Sequence, residues 1–375
     1  MAGIYIHIPF CKSRCIYCAF YSTTGMEQRQ RYVDAVCKEW SMRQHEAGDP
    51  IDTIYIGGGT PSQLTDSQLR QLFDVLPHAN SETTIEVNPD DVTQEFATLL
   101  STLPVNRVSM GAQTFDDQRL RFLHRRHTSA QVAEAVRLLR DAGIRNISID
   151  LMYGFPGETL SDWEHDMDAA LALCVEHISA YCLMIEEGTA LFNQMRNEEL
   201  EMRNGEMRKL TMPSEELERR MYYLLKDKLE AAGYEHYEIS NFARPGFRSR
   251  HNSSYWHDIP YIGLGAAAHS YDRHCRSWNV SNIRTYCKRI EQGELPSEQE
   301  VLDDDTHYND RITTALRTSD GLDLTTLSDR HRHFCLREAQ PYLSDGLLRQ
   351  QDSHIMLTRK GLFVSDMVMS ALMMV

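Results

Sequence analysis

No run in this 375-residue chain is apolar for long enough to cross a bilayer. The apolar start, residues 1–10, is cut short by Cys11 and Lys12, so it reads as neither a signal peptide nor a spanning helix, and the closing run from Met367 is equally short. Low-complexity segments and internal repeats beyond alternating βα units are missing, and a hydrophobic content of 42% leaves no compositional sign of disorder. Positive charge is scarce: 39 Lys and Arg stand against 54 Asp and Glu, a net charge of −15. Such a surface repels a phosphate backbone, which argues against general nucleic-acid binding and makes any anion site local. A disulfide framework is also lacking. The cysteines number nine, and six of them, Cys37, Cys174, Cys182, Cys275, Cys287 and Cys335, are scattered as small buried hydrophobes would be in a reducing cytoplasm.

The other three are crowded into Cys11-Lys12-Ser13-Arg14-Cys15-Ile16-Tyr17-Cys18. Three thiols in one short loop call for a metal. Three thiolates can hold three corners of a cubane iron–sulfur cluster and leave the fourth iron open. Zinc would need a fourth ligand, which His7 is near enough in sequence to offer, whereas so tight a loop disfavours disulfides. The C-x3-C-x2-C spacing followed by an aromatic, Phe20, resembles the radical S-adenosylmethionine superfamily. That resemblance implies a 4Fe–4S cluster on Cys11, Cys15 and Cys18, with S-adenosylmethionine chelating the open iron.

The rest of the chain reads as the scaffold for such a site. Gly3 to Ile8 alternates as a strand, and strand-like stretches recur at Thr53–Ile56, Thr83–Val87, Arg107–Met110, Asn146–Leu151 and His177–Cys182. Helical patterns lie between them, the one before Leu173 opening at an expected Ser161-x-x-Glu164 capping box. Six alternating units predict an α/β fold, a partial (β/α)6 barrel over residues 1–235. Ser214 caps a long amphipathic helix, residues 236–302 form a connecting region, and 303–375 form a small, mainly helical C-terminal domain.

In barrels of this kind, binding groups gather at the carboxyl ends of the strands. The cysteine loop follows strand one, Gly57-Gly58-Gly59-Thr60-Pro61 follows strand two, Glu86 sits near the end of strand three, Gln113 just after strand four, and Asp150 in strand five. A glycine-rich turn after a strand commonly serves only packing, and Glu86 or Asp150 taken singly reads as an ordinary barrel carboxylate satisfied by loop amides. Placed on one rim, they suit the cationic, amino and hydroxyl groups of a sulfonium nucleotide, while Gln113 and Arg125 suit its polar and anionic ends. The glycine loop resembles the superfamily's GGE-type motif. In the coproporphyrinogen-dehydrogenase-like branch Tyr5, Gly58, Gly59, Thr60, Glu86, Gln113, Arg125 and Asp150 each have a counterpart, and the resemblance implies that they bind the cofactor.

A narrower resemblance rests on Ile6-His7-Ile8-Pro9-Phe10-Cys11, Glu86-Val87-Asn88-Pro89, Ser109-Met110-Gly111-Ala112-Gln113 and Asp150-Leu151-Met152-Tyr153-Gly154. These segments resemble the HemW-type haem-chaperone family, relatives of the oxygen-independent coproporphyrinogen oxidase. The oxidase carries a further cysteine where this chain has Phe20, and His251-Asn252-Ser253-Ser254-Tyr255-Trp256 matches the chaperones' HNxxYW motif. The resemblance implies haem as cargo, respiratory haemoproteins as recipients and a cytoplasmic location, with peripheral membrane association compatible. Oligomeric state is left open. The alternative is an enzyme that cleaves the cofactor to a radical and oxidises coproporphyrinogen III or another tetrapyrrole; no catalytic residue is assigned. Neutral histidine ligates haem iron and arginines pair with propionates, so the expected haem residues are His251, Tyr255 and Trp256 with Arg244, Arg248 or Arg250; His269 is the rival ligand, and a capped loop with a packed tryptophan is the bland reading.

Overall fold

The computed structural model describes residues 2–47, 50–196, 200–203, 206–209 and 211–374. Its main sheet begins with β1 (Ala2–Ile8), β2 (Ile51–Gly58), β3 (Glu82–Val87), β4 (Arg107–Gln113), β5 (Asn146–Tyr153) and β6 (His177–Cys182), parallel and side by side in that order. The helices α1 (Arg29–Arg43), α2 (Asp66–Val75), α3 (Gln94–Ser101), α4 (Asp117–Phe122), α5 (Ser129–Asp141) and α6 (Leu160–Ala172) make the crossovers. The helix α6 starts two residues earlier than its expected capping box: Thr159 is the N-cap and Asp162 its reciprocal partner. A carboxylate at the third position of the helix returns the bond as Glu would.

Period-two alternation decides what each face of the sheet does. One set, including Ile4, Ile6, Ile8, Ile54, Ile56, Ile85, Val108, Ile147, Ile149 and Ile178, is fully buried in one continuous core with the helices. Each such side chain stabilises the fold by about 1.5–3 kcal/mol. The other set faces the barrel interior and is mostly polar: Tyr5 and His7, Thr53 and Tyr55, Glu82, Thr84 and Glu86, Arg107 and Ser109, Ser148 and Asp150, His177 and Ser179. Hydrogen bonds between strands, such as Tyr55 to Glu86 and Ser148 to His177, run within this second set.

The residues expected as a connecting region add strands to both edges of the sheet. Strands β7 (Glu235–Glu238) and β8 (Asn241–Ala243) continue the sheet antiparallel beyond β6. On the other edge β9 (Tyr261–Leu264) lies parallel to β1, followed by the antiparallel β10 (His269–Tyr271), β11 (Cys275–Asn279) and β12 (Ser297–Val301). Twelve strands result, in the order β12-β11-β10-β9-β1-β2-β3-β4-β5-β6-β8-β7. The helix α7 (Ala190–Arg196) follows β6, and α8 (Glu215–Ala231), capped by Ser214, packs with α6. The helix α9 (Arg250–Trp256) contacts β2, and α10 (Ile283–Glu291) contacts α1. A second hydrophobic core, built around Tyr308, Ile312, Cys335, Ile355 and Leu372, holds the helical C-terminal region, which includes α11 (Asp304–Ala315) and α12 (Asp329–Ser344). Among the described residues no helix is long and apolar enough to cross a membrane.

Candidate cofactor rim and barrel floor

The carboxyl ends of β1 to β5 bring the rim residues together. Gly58 has φ +108°, and a Cβ there would sit 2.5 Å from the His7 ring; one on Gly59 would sit 2.8 Å from the carbonyl carbon of Pro9. Both positions require glycine. The turn so formed holds Thr60 against the cysteine loop, with its Oγ1 3.4 Å from Cys11 Sγ. Asn88, just past β3, donates to Thr60 Oγ1 at 3.4 Å and accepts from Arg125 Nη2 at 2.7 Å. Arg125 Nη2 also donates to Gly111 O at 2.5 Å, and its Nη1 lies 3.6 Å from Cys15 Sγ. Its Nε is buried without a partner.

The donor set fits a cubane cluster better than zinc. His7 Nε2 donates to Tyr21 O at 2.9 Å, which leaves its Nδ1 to accept from Tyr5 OH at 3.0 Å, so that ring has no nitrogen to give. Burial pushes the Cys11 and Cys18 thiols up, opposed at Cys11 by Thr60. A guanidinium beside Cys15 offers the compensating charge that a thiolate-held cluster calls for.

Glu86 accepts from Tyr55 OH at 2.7 Å and from the Gly58 N–H at 3.0 Å. Burial raises its carboxyl to about 7, partly offset by Tyr55. Asp150, reached by Ser109 Oγ at 3.5 Å, is raised to about 6, again by burial, against the pull of Arg107. Two carboxylates held near neutrality in one interior are poised to take cationic or hydroxyl groups. A bulge, with Gly111 opposite Asp150 and Gln113 opposite Leu151, turns Gln113 to φ +68°. Such a bulge re-aims the side chain at the end of the strand.

The HNxxYW segment is at the other end of the barrel. Glu82, at the start of β3, accepts the backbone N–H groups of Arg250 at 3.1 Å and His251 at 3.0 Å and so anchors the first turn of α9. The His251 side chain enters the barrel floor, 1% exposed, with Nδ1 2.8 Å from Thr53 Oγ1 and Nε2 2.8 Å from Tyr255 OH. Burial holds the ring neutral, its pKa lowered to about 3. Both ring nitrogens of His251 are thus engaged within the protein, and the ring stacks on Tyr55. The arginines expected to meet propionates are dispersed. Arg244 lies over the Tyr234 ring, Arg248 pairs with Glu235, and Arg250 stays exposed. His269 is exposed on β10, beside Trp278.

Several residues of this interior had no sequence assignment. Asn88 and Tyr55 hydrogen-bond to rim groups. Arg107, 1% exposed, pairs through Nε with Glu82 at 3.9 Å, and neither Nε nor Nη1 makes a hydrogen bond. A charged residue opening the strand is the one sequence signal it carries.

A family model described as the radical SAM superfamily matches residues 5–170, and one described as the HemN C-terminal domain matches 302–364. The heme chaperone HemW of Bacillus subtilis is 34% identical, the match covering 99% of each chain. The heme chaperone HemW of Mycobacterium tuberculosis is 33% identical over 99% of this chain and 94% of its own. Among solved structures, the radical SAM enzyme coproporphyrinogen III oxidase (HemN) of Escherichia coli superposes with a TM-score of 0.83 at 22% identity, covering 99% of this chain and 89% of its own. At that identity the likeness is one of fold.

Proposed function

The chain belongs to the HemW haem-chaperone family of the radical SAM superfamily, and from that premise we propose that it binds haem and delivers it to respiratory haemoproteins in the cytoplasm or at the membrane surface. The observation that carries this reading is near-complete coverage by relatives named as haem chaperones. Phe20 adds to it. The side chain standing where the oxidase has its extra cysteine is 69% exposed and offers no thiol.

In the same reading Cys11, Cys15 and Cys18 hold a 4Fe–4S cluster, and Tyr5, Gly58, Gly59, Thr60, Glu86, Gln113, Arg125 and Asp150 hold S-adenosylmethionine beside it. When bound, that pair supplies one-electron reductive chemistry. The chain's own part is positional. Gly58 and Gly59 let the turn close against His7 and Pro9 and so present their backbone to the methionine end, Glu86 and Asp150 accept from amino and hydroxyl groups, and Arg125 fixes Asn88 and the cysteine loop in one bond network. The test is anaerobic reconstitution followed by haem titration and transfer to an apo-haemoprotein. Saturable binding with transfer supports the proposal; no binding refutes it.

A further inference from the structure

A cleft of about 470 Å³ lies between the barrel and the C-terminal region, lined by residues of α9, the edge strands β9 to β11 and α11. Its size is within the range of roughly 300–1,000 Å³ typical of small-molecule sites. Tyr255, Tyr261 and Tyr271 line it, the first two meeting edge to face at 4.6 Å and the last two lying 6.3 Å apart. Tyr255 is the tyrosine of the HNxxYW segment. The motif therefore has two faces, its histidine closing the barrel floor and its tyrosine walling the cleft.

His307, on α11, supplies a metal-ligating group beside Tyr271. The Tyr271 hydroxyl donates to Asp258, and His307 Nε2 lies 3.0 Å from that hydroxyl oxygen and 3.2 Å from Asp258 Oδ1. This pattern puts the ring proton on Nε2 and the lone pair on Nδ1. Nδ1 has no hydrogen-bond partner among the described residues. A carboxylate holding one histidine nitrogen so that the other faces a metal is the usual outer arrangement of such ligands. The rest of the lining is Asp310, Thr313, Thr314 and two guanidinium groups, Arg276 and Arg311, the latter donating from Nη1 to Thr326 O at 2.9 Å. Arg276 is shared between Asp310 at 3.3 Å and Glu300 at 3.4 Å, and its Nε is buried without a partner.

An aromatic wall, an oriented imidazole and two cations match a flat, apolar ring that carries iron at its centre and carboxylates at its edge. We propose that haem docks in this cleft, with His307 as iron ligand, the three tyrosines against the porphyrin and Arg276 and Arg311 meeting the propionates. The assignment rests on the haem-binding reading above. It also separates cargo from cofactor. A Cβ on Gly3 would touch the His251 ring, and Ile8, before the cysteine loop, is five residue steps further along β1; that is roughly 17 Å of strand.

The experiment is a haem titration of the full-length reconstituted protein, read from the Soret band, on wild type, His307→Ala and Thr313→Trp. The last fills the cleft and removes no ligand. Wild type should bind saturably, His307→Ala should shift the Soret maximum and bind at least about tenfold more weakly, and Thr313→Trp should lose binding. Cluster iron, S-adenosylmethionine affinity and thermal midpoint, measured alongside, should stay at wild-type values and exclude unfolding as the cause. If a variant fails to fold, Asp258→Asn takes its place and should weaken binding about tenfold. Wild-type spectrum and affinity in the variants would overturn the cleft assignment while the haem-binding reading stands; absence of saturable binding by wild type would overturn both.

Discussion

Tyr55 and His251 lie ring on ring in the barrel interior, 5.2 Å between centroids and 28° apart. From the same tyrosine the hydroxyl reaches Glu86 at 2.7 Å, so one side chain joins the floor to the cofactor rim. His251→Ala would leave a cavity under Tyr55 and remove the partner of Thr53 and Tyr255. We expect a loss of on the order of 2–4 kcal/mol in denaturant melts, with the Soret position of bound haem unmoved. A shifted Soret band at unchanged stability would make His251 the ligand.

Glu86 has a testable cost. Its carboxyl is raised by burial to about 7, so the folded chain holds that proton more tightly than the unfolded chain. The stabilising protonated form is fully present below the ordinary carboxylate range, and its contribution is lost as pH rises through about 7. Glu86→Gln should therefore stabilise the cofactor-free protein at pH 8 by on the order of 2–3 kcal/mol, and hardly at all at pH 4. Equal effects at both pH values would mean that Glu86 ionises without penalty.

Much of this arrangement was legible in the sequence because period and chemistry coincide there. Ile4, Ile6 and Ile8 marked β1, and the glycines at the end of β2 marked a turn whose φ at Gly58 admits little else. The edge strands were harder to see: Ser297–Val301 is exposed at every position and carries no alternation of burial. The α6 start was misplaced because Ser161 and Glu164 imitate the box that Thr159 and Asp162 form. His251 stood out by its motif, but nothing local tells that Thr53, some two hundred positions earlier, takes its Nδ1.

Asp150→Ala should weaken S-adenosylmethionine binding and leave the cluster iron content intact, because Asp150 touches Ser109 and no cysteine among its described contacts. In wild type the affinity should fall as pH is lowered from 8 through about 7 and then about 6, where Glu86 and Asp150 take up protons. Equilibrium dialysis across that range checks both. An affinity indifferent to pH and to the substitution would remove these carboxylates from the site.

Replacing Cys11, Cys15 or Cys18 singly by Ala should abolish a reducible, oxygen-labile cluster, since three thiolates are the minimum that leaves one iron open. Metal analysis and electron paramagnetic resonance after anaerobic reconstitution are the readouts. Stoichiometric zinc, with no reducible signal in wild type, would contradict the assignment.

The most direct test of the central claim presents reconstituted protein with haem and coproporphyrinogen III together, in the presence of S-adenosylmethionine and a reductant, and follows binding and product at once. A haem chaperone with Phe20 at the oxidase's cysteine position should bind haem saturably and form no protoporphyrinogen IX. Product accumulating over many turnovers, with haem bound only non-specifically, would make the protein an oxidase instead.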